Sequence, residues 1–367
     1  MFRRHYATVL TFFAAASVMM GSVGASPSGL ALAPQDNQRR ATVCNGHAEL
    51  CSRSFGNVTF VGAHDSYAIG NSLTTNQDQS ITTQLDDGIR MLQMQAHNES
   101  GVIRLCHTSC SLYDGGTLED YLKLVLSLLI VNIDNMPASS FGAVFQSVGL
   151  DSVSFKPQTP SLPRTAWPTL GELIDGNTRL LTFLDNGADT TQVPYLIDEF
   201  TNIWETAFNV IDPNFDCNVN RTKASDPSTQ MFLINHFLDK ILVGVPVPAT
   251  DKLNVTNAVS GFGSLGAQVD TCVTTQGRPP NFMLVDFYEY GGGSVFQVAA
   301  QINGVQYNPS KPIANPSSTA TGAAGSVSVT SSSLNGGLNT VATSLVSQLF
   351  ALCITLLFVG TGTLTVL

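Results

Sequence analysis

The chain has 367 residues, 43% of them hydrophobic, and a formal net charge of −10. An acidic chain with 17 Lys and Arg against 27 Asp and Glu, and no basic stripe, excludes nucleic acid as an expected partner. It also argues against electrostatic docking on anionic lipid, and the length fits one barrel or one large α/β domain between processed ends.

The first 25 residues read as a signal peptide. Arg3 and Arg4 precede an apolar run at 7–20, and Val23-Gly24-Ala25 offers small residues for cleavage. The run is too short for a good spanning helix, so secretion is expected, with an uncleaved N-terminal anchor as the alternative. Residues 26–41 read as a mobile leader, and 42–307 as the folded body.

Within that body, 57–63 (NVTFVGA) is β-rich and ends at His64-Asp65-Ser66-Tyr67. Residues 77–87 have helical spacing, with Ile81 and Leu85 four apart and Gly88 as the cap. Strands are expected at 89–95 and 102–106. Thr117 and Asp120 have capping-box spacing, and the helix they open runs unbroken into a buried strand at 127–132. Residues 135–164 are rich in Pro and Ser. A helical turn at 170–174 precedes a strand at 178–184, which ends at Asp185-Asn186-Gly187. Further strands are expected at 206–210, at 231–235 before His236, and at 281–287, which carries Asp286. Apolar runs alternating with helical stretches imply a parallel sheet with buried strands. Eight of them imply a TIM-type (β/α)8 barrel, distorted or partly open, with its working residues at the carboxyl ends of the strands.

Residues 308–335 form a Ser/Thr/Gly/Pro-rich stalk. Residues 349–367 are apolar, uncharged and followed by no basic residue. With the small residues before them, they read as a glycosylphosphatidylinositol (GPI) signal over 336–367 that is removed on attachment. Asn335 is the preferred attachment residue, with Ser332 and Ser333 next and a plain C-terminal transmembrane helix as the competing reading. The expected location is therefore the cell surface, on the outer leaflet or in the cell wall.

Cys353 lies in that tail, leaving Cys44, Cys51, Cys106, Cys110, Cys217 and Cys272. Six cysteines allow fifteen pairings; local spacing favours 44–51 and 106–110, with 217–272 left over. No CxxC pair supports a zinc site instead. Sequons stand at Asn57, Asn98, Asn220 and Asn254.

Polar residues gather at the expected strand ends: His64, Asp65, Gln93, Gln95, His107, Asp185, Asn186, Asn235, His236 and Asp286. Cleaving a phosphodiester beside a sugar hydroxyl needs a base for that hydroxyl, an acid for the leaving oxygen, and a balance for the phosphate charge. Two histidines with carboxylate partners can do the proton work near neutral pH.

The segments FVGAHDSYAIG, NQDQSITTQLDDGIRML and RLCHTSC, followed by WPTLGELI, RLLTFLDNGAD and NFMLVDFYEYG, resemble the X region of phosphatidylinositol-specific phospholipases C. The likeness is greatest to the extracellular fungal branch of phospholipase-C-like phosphodiesterases and covers roughly residues 41–301. It implies that His64 is the general base and His107 the general acid. It further implies that Asp65 supports that acid and that Asp286 orients the base. A phosphoinositol-type or related phosphodiester, free or as a lipid head group, is the implied substrate.

Two departures stand out. The second strand normally carries two charged residues where this chain has Gln93 and Gln95. Amides can hydrogen-bond a phosphate but neither neutralise it nor hold calcium tightly, so no cofactor is expected, calcium included. Arg90 and Arg104 fall at other positions of the strand alternation. Compared with the family's pattern, the stretch 117–132 is also compressed by about a dozen residues, against the roughly ten to twelve that a barrel crossover needs; either the helix is cut short or the gene model has lost a segment.

Plainer roles compete at each position. His64 could be a core histidine, His107 part of a structural disulfide loop, and Asp286 a cap on the barrel end. Asp185 and His236 are taken as site lining, His97 as solvated, and Trp167, Tyr288 and Tyr290 as rim or core. The expected protein is a monomeric, metal-independent phosphodiesterase; the alternative is a weak or inactive barrel that binds at the surface.

Overall fold

The computed structural model describes residues 40–123 and 127–317, and all that follows concerns these. The signal peptide, nearly all of the leader, most of the stalk, Asn335 and the GPI tail lie outside the described residues.

In chain order, β1 (Phe60–Ala63) leads to α1 (Ile81–Asp87), then β2 (Met91–Glu99) and β3 (Val102–Cys106). Next come β4 (Asp114–Thr117), α2 (Leu118–Leu122), β5 (Ser127–Asn132), α3 (Ala138–Ser147), α4 (Leu170–Asp175) and β6 (Leu181–Leu184). Then follow β7 (Leu196–Asp198), α5 (Glu199–Asn202), β8 (Ile203–Glu205), β9 (Met231–His236) and the hairpin of β10 (Asp239–Leu242) and β11 (Val245–Pro248). The last elements are α6 (Leu253–Thr256), α7 (Leu265–Gln276), β12 (Phe282–Val285) and α8 (Ser294–Asn303).

Local signals account for several boundaries. The Ser80 hydroxyl accepts the Thr83 amide to start α1, and Gly88, at φ +124°, ends it. Thr117 caps the amide of Asp120 to open α2, which is five residues long. A full capping box between Thr169 and Glu172 opens α4.

Eight strands run in the order β7-β6-β5-β2-β1-β12-β9-β8, and each neighbouring pair is parallel. The sheet curls into an open α/β barrel whose two edge strands, β7 and β8, are not bonded to each other. The reason is length: only the four residues of α5 join them, and a parallel crossover needs a dozen or more. Arg221 bridges the free edge of β8 at Glu205 instead.

Strand alternation divides the core into two layers. Val61, Leu92, Ile130, Ile234 and Val285 pack outward with helix residues such as Phe141, Val269 and Phe296. Phe60, Met91, Phe183, Leu233 and Phe282 pack on one another inside, where Phe55 and Trp167 also sit. Trp167, Tyr288 and Tyr290 are therefore core rather than rim.

Three expectations need correction. No strand forms at 206–210, because Asn209 takes a left-handed φ of +55° and only an isolated bridge from Val210 to Leu238 remains. Residues 102–106 are a strand, but one that lies antiparallel on an extension of β2, outside the parallel set. His97 is buried on β2 rather than solvated.

The disulfides are Cys44–Cys51, Cys106–Cys110 and Cys217–Cys272. All four sequon asparagines are exposed. Among the described residues no helix is long and apolar enough to cross a membrane.

Candidate active site

Parallel register makes the site. Ala63 pairs with Val285, so the residues just beyond, His64 and Asp286, emerge side by side at the carboxyl ends of β1 and β12. His64 Nδ1 and Asp286 Oδ1 lie 2.8 Å apart, so Nδ1–H donates to the carboxylate. Asn76 donates to both oxygens of Asp286, at 3.2 and 3.1 Å, and fixes it from the other side.

Asp65 follows His64 with a left-handed φ of +38° that turns its carboxylate back over β2. Gln93 and Gln95, two apart, share one face of that strand. Gln93 Oε1 accepts the Asp65 amide at 2.6 Å, and Gln95 Nε2 donates to Asp65 Oδ2 at 2.8 Å. Both amides therefore hold Asp65.

His107 arrives from the end of β3 on the short loop closed by Cys106–Cys110. Its Nδ1–H donates to the Thr74 carbonyl at 2.8 Å, and the neighbouring Thr108 amide donates to Gln95 Oε1 at 3.1 Å. One oxygen then joins both imidazoles: Asp65 Oδ2 lies 3.5 Å from His64 Nε2 and 3.4 Å from His107 Nε2. Asp65 Oδ1 is buried without a hydrogen-bond partner. Left-handed φ angles at Asp65, Thr108 and Phe287, each at or next to a site residue, concentrate backbone strain here.

The electrostatics follow from this crowding. Burial works against the His64 imidazolium, but Asp65 and Asp286 outweigh it and raise the pKa to about 9. Phe237 stacks flat on the His64 ring, with centroids 3.8 Å apart. Asp239 is pushed up to about 6 by burial and by Asp286, against the pull of His64 and His107. The two histidines are slightly open, with 15% and 18% of their side chains exposed, while Asp65 is closed off.

The structure thus brings together His64, Asp65, His107, Asp286, Gln93 and Gln95. It does not bring the other two expected residues to this group. His236 is fully buried, with Nδ1 2.6 Å from Gln268 Oε1 and Nε2 2.7 Å from the Thr256 carbonyl; both ring nitrogens are used in packing, so it lines nothing. Asp185 accepts the Asn132 amide at 2.8 Å and the Asn186 side chain at 2.9 Å, and its charge acts on Glu199. Arg90 and Arg104 are engaged elsewhere, with Asn45 and Asp114 respectively.

Sequence reading passed over Asn76, Phe237, Asp239 and the Thr74 carbonyl. Asn76 stands in the Gln-rich stretch before α1, and Asp239 is a lone carboxylate three residues past a strand end. Neither carries a spacing signal, because each reaches the site from a connection. Among the described residues no cluster of three or more His, Cys, Asp or Glu is placed to hold a metal ion.

As chemistry, the group is two proton carriers sharing one carboxylate, each oriented through Nδ1 so that Nε2 faces inward. Among the described residues, no Arg or Lys is ion-paired with Asp65 or Asp286; the ion-pair partners of these carboxylates are the two imidazoles.

The X-domain model described as PI-PLC X 1 matches residues 50–303. A PI-PLC X domain-containing protein 1 of Arthroderma benhamiae is 42% identical over 277 residues, covering 72% of this chain and 90% of that protein. An uncharacterized secreted protein of the same fungus is 45% identical over 296 residues, covering 75% of this chain and 66% of its own length. Phosphatidylinositol-specific phospholipase C from Staphylococcus aureus, as the F249X mutant, covers 70% of this chain and 95% of that structure, with 13% identity and a TM-score of 0.43. With the family match spanning more than half of its residues, the chain belongs to the PI-PLC X domain family.

Proposed function

We propose that this protein is an extracellular phospholipase-C-like phosphodiesterase that cleaves a phosphoinositol-type diester by histidine acid–base catalysis. The observation that carries the reading is the single Asp65 oxygen set between His64 Nε2 and His107 Nε2. In the proposed step, the neutral form of His64, the minor form below its pKa of about 9, takes the proton of the hydroxyl next to the phosphate. That oxygen attacks phosphorus, the bond to the leaving alkoxide breaks, and His107 gives the alkoxide its proton; the products are a cyclic phosphate and an alcohol. Asp286 and Asn76 hold His64 in the tautomer that leaves Nε2 free to accept. Asp65 steadies whichever imidazole is charged.

Metal independence is part of the proposal, because the β2 positions carry amides that bind a hard cation weakly. Secretion accords with the name of the Arthroderma relative, and GPI anchoring with the tail of the sequence. The test is release of inositol cyclic phosphate from a phosphoinositol diester, in EDTA and in calcium, by the wild type and by His64→Ala. Turnover in EDTA that is lost in the variant supports the proposal. A requirement for calcium would overturn the metal-independent part.

The engagement of Gln93 and Gln95 with Asp65 favours a second reading, in which the barrel binds such a head group without efficient turnover. A wild type as inert as His64→Ala over a broad phosphodiester panel, yet binding inositol phosphates, would select it.

A further inference from the structure

At the opposite end of the barrel lies a second polar cavity. Arg53 and Asn57 precede β1, and Arg278 and Asn281 precede β12, so these residues flank the amino ends of the strands. With Arg164 they line a cavity of about 260 Å³. None of its lining residues is Asp or Glu. The arginines ion-paired among the described residues are Arg104, with Asp114, and Arg221, with Glu205. Arg53, Arg164 and Arg278 have no such partner.

The three positions are built rather than loose. Arg278 lies over the Phe232 ring, 4.5 Å from its centroid, and its Nη2 donates to the Gln230 carbonyl at 2.6 Å. The segments carrying Arg53 and Arg164 are zipped together. The Leu170 amide donates to the Arg53 carbonyl, and Ser54 Oγ donates to the Trp167 carbonyl. Gly56 permits this approach, since a Cβ there would stand 1.9 Å from the Arg164 carbonyl oxygen. Burial, and after it the Arg164 charge, lowers the Arg278 pKa to about 10.

Three cations around one cavity repel one another and stabilise nothing by themselves. The bottom of such a barrel ordinarily serves stability, so a trio held together without a carboxylate calls for an anion. Guanidinium forks match tetrahedral oxyanions through paired hydrogen bonds. The volume suits a phosphate group with a small substituent and lies below the roughly 300–1,000 Å³ of pockets for larger ligands. We propose that this cavity is a phosphate-binding site, for free phosphate or for a phosphate monoester on a small molecule or lipid head group, held by Arg53, Arg164 and Arg278. It is separate from the histidine site and does not depend on the function assigned there.

The test compares unfolding midpoints of the full secreted protein in sodium phosphate and in sodium chloride at equal ionic strength. Phosphate at one hundred times its Kd should raise the midpoint by roughly 5 °C or more. Arg164→Gln should lose that rise while its midpoint in chloride stays level or climbs, because one repulsion is gone. Arg164→Lys, which keeps the charge and loses the fork, should keep a reduced rise and covers the case in which the Gln variant folds poorly. Equal wild-type midpoints in the two salts would overturn the proposal. So would a rise kept by Arg164→Gln but lost in His107→Ala, which puts the phosphate at the histidines. Co-sedimentation with vesicles of phosphatidylcholine, with or without phosphatidic acid, separates the sources. Arg164-dependent binding only to the acidic vesicles supports a lipid head group, and a phosphate effect without vesicle binding supports a soluble ligand.

Discussion

Two charged clusters share the carboxyl end of the barrel, and they balance their carboxylates in opposite ways. Around β1, β2 and β12, the carboxylates of Asp65 and Asp286 face two histidines whose charge can come and go. Around the seam between β7 and β8, buried Glu205 faces Arg221, whose charge is permanent. Arg221 is clamped over Phe208 and Phe200, at 4.6 and 5.0 Å from the ring centroids, and Asn235 adds a hydrogen bond to the same Glu205 oxygen. Burial and the Glu205 charge push the neighbouring Glu199 carboxyl well above its ordinary range, against the pull of Arg221. A fixed cation suits a joint that must stay shut; a titratable one suits a place where protons move.

That contrast can be broken in four ways. The largest expected effect is on turnover: His64→Ala should lower it about 10²- to 10⁴-fold, while Glu205→Gln should leave it within a few-fold. Equal losses in a steady-state assay would erase the distinction.

Next is the pH dependence of stability. His64 has its pKa raised from 6.5 to about 9, so the stability it contributes is fully present below pH 6.5 and is lost as the pH rises through 9. The loss should be on the order of 3 kcal/mol, read from denaturant midpoints, and Asp286→Asn should flatten it. Asp239, raised from 3.8 to about 6, acts in a lower window and costs stability as the pH climbs between those values.

Third, Arg221→Leu should destabilise by about 2 kcal/mol, less than a fully buried pair would lose because the guanidinium is about one third exposed. Faster amide exchange at residues 203–206, with turnover kept, would localise the damage to the seam. The smallest effect is a gain: Gln95→Arg keeps a donor for Asp65 and adds a fixed cation beside the histidines, so turnover should rise about tenfold. A fall instead would show that the Thr108 amide needs its Gln95 acceptor more than the phosphate needs a charge.

Much of the fold was legible where strands are long apolar runs. Residues 127–132 and 231–235 were found because burial on both faces leaves an unbroken hydrophobic stretch. The three-residue strands β7 and β8 were not, since so few residues carry no period, and the second of them was misplaced onto 206–210. Strand ends put His64, Asp65, His107 and Asp286 among ten candidate polar residues, and the resemblance to phosphatidylinositol-specific phospholipases C singled out these four. His236 was misjudged by the same rule, as its strand end turns the ring into packing against Gln268 and Thr256.

The resemblance, rather than spacing, singled out the two-histidine, two-carboxylate set; by itself the sequence determined the parallel open barrel and the disulfide pairs that local spacing favoured. Those follow from hydrophobic patterning and short-range spacing, which a linear chain displays directly. Only the tertiary structure decided that Gln93 and Gln95 hold Asp65, that Phe237, Asn76 and Asp239 complete the site, and that Arg221 shuts the seam. Each of those depends on segments roughly 16 to more than 200 residues apart meeting at one end of the barrel, through contacts that strand register and burial create and no local pattern records.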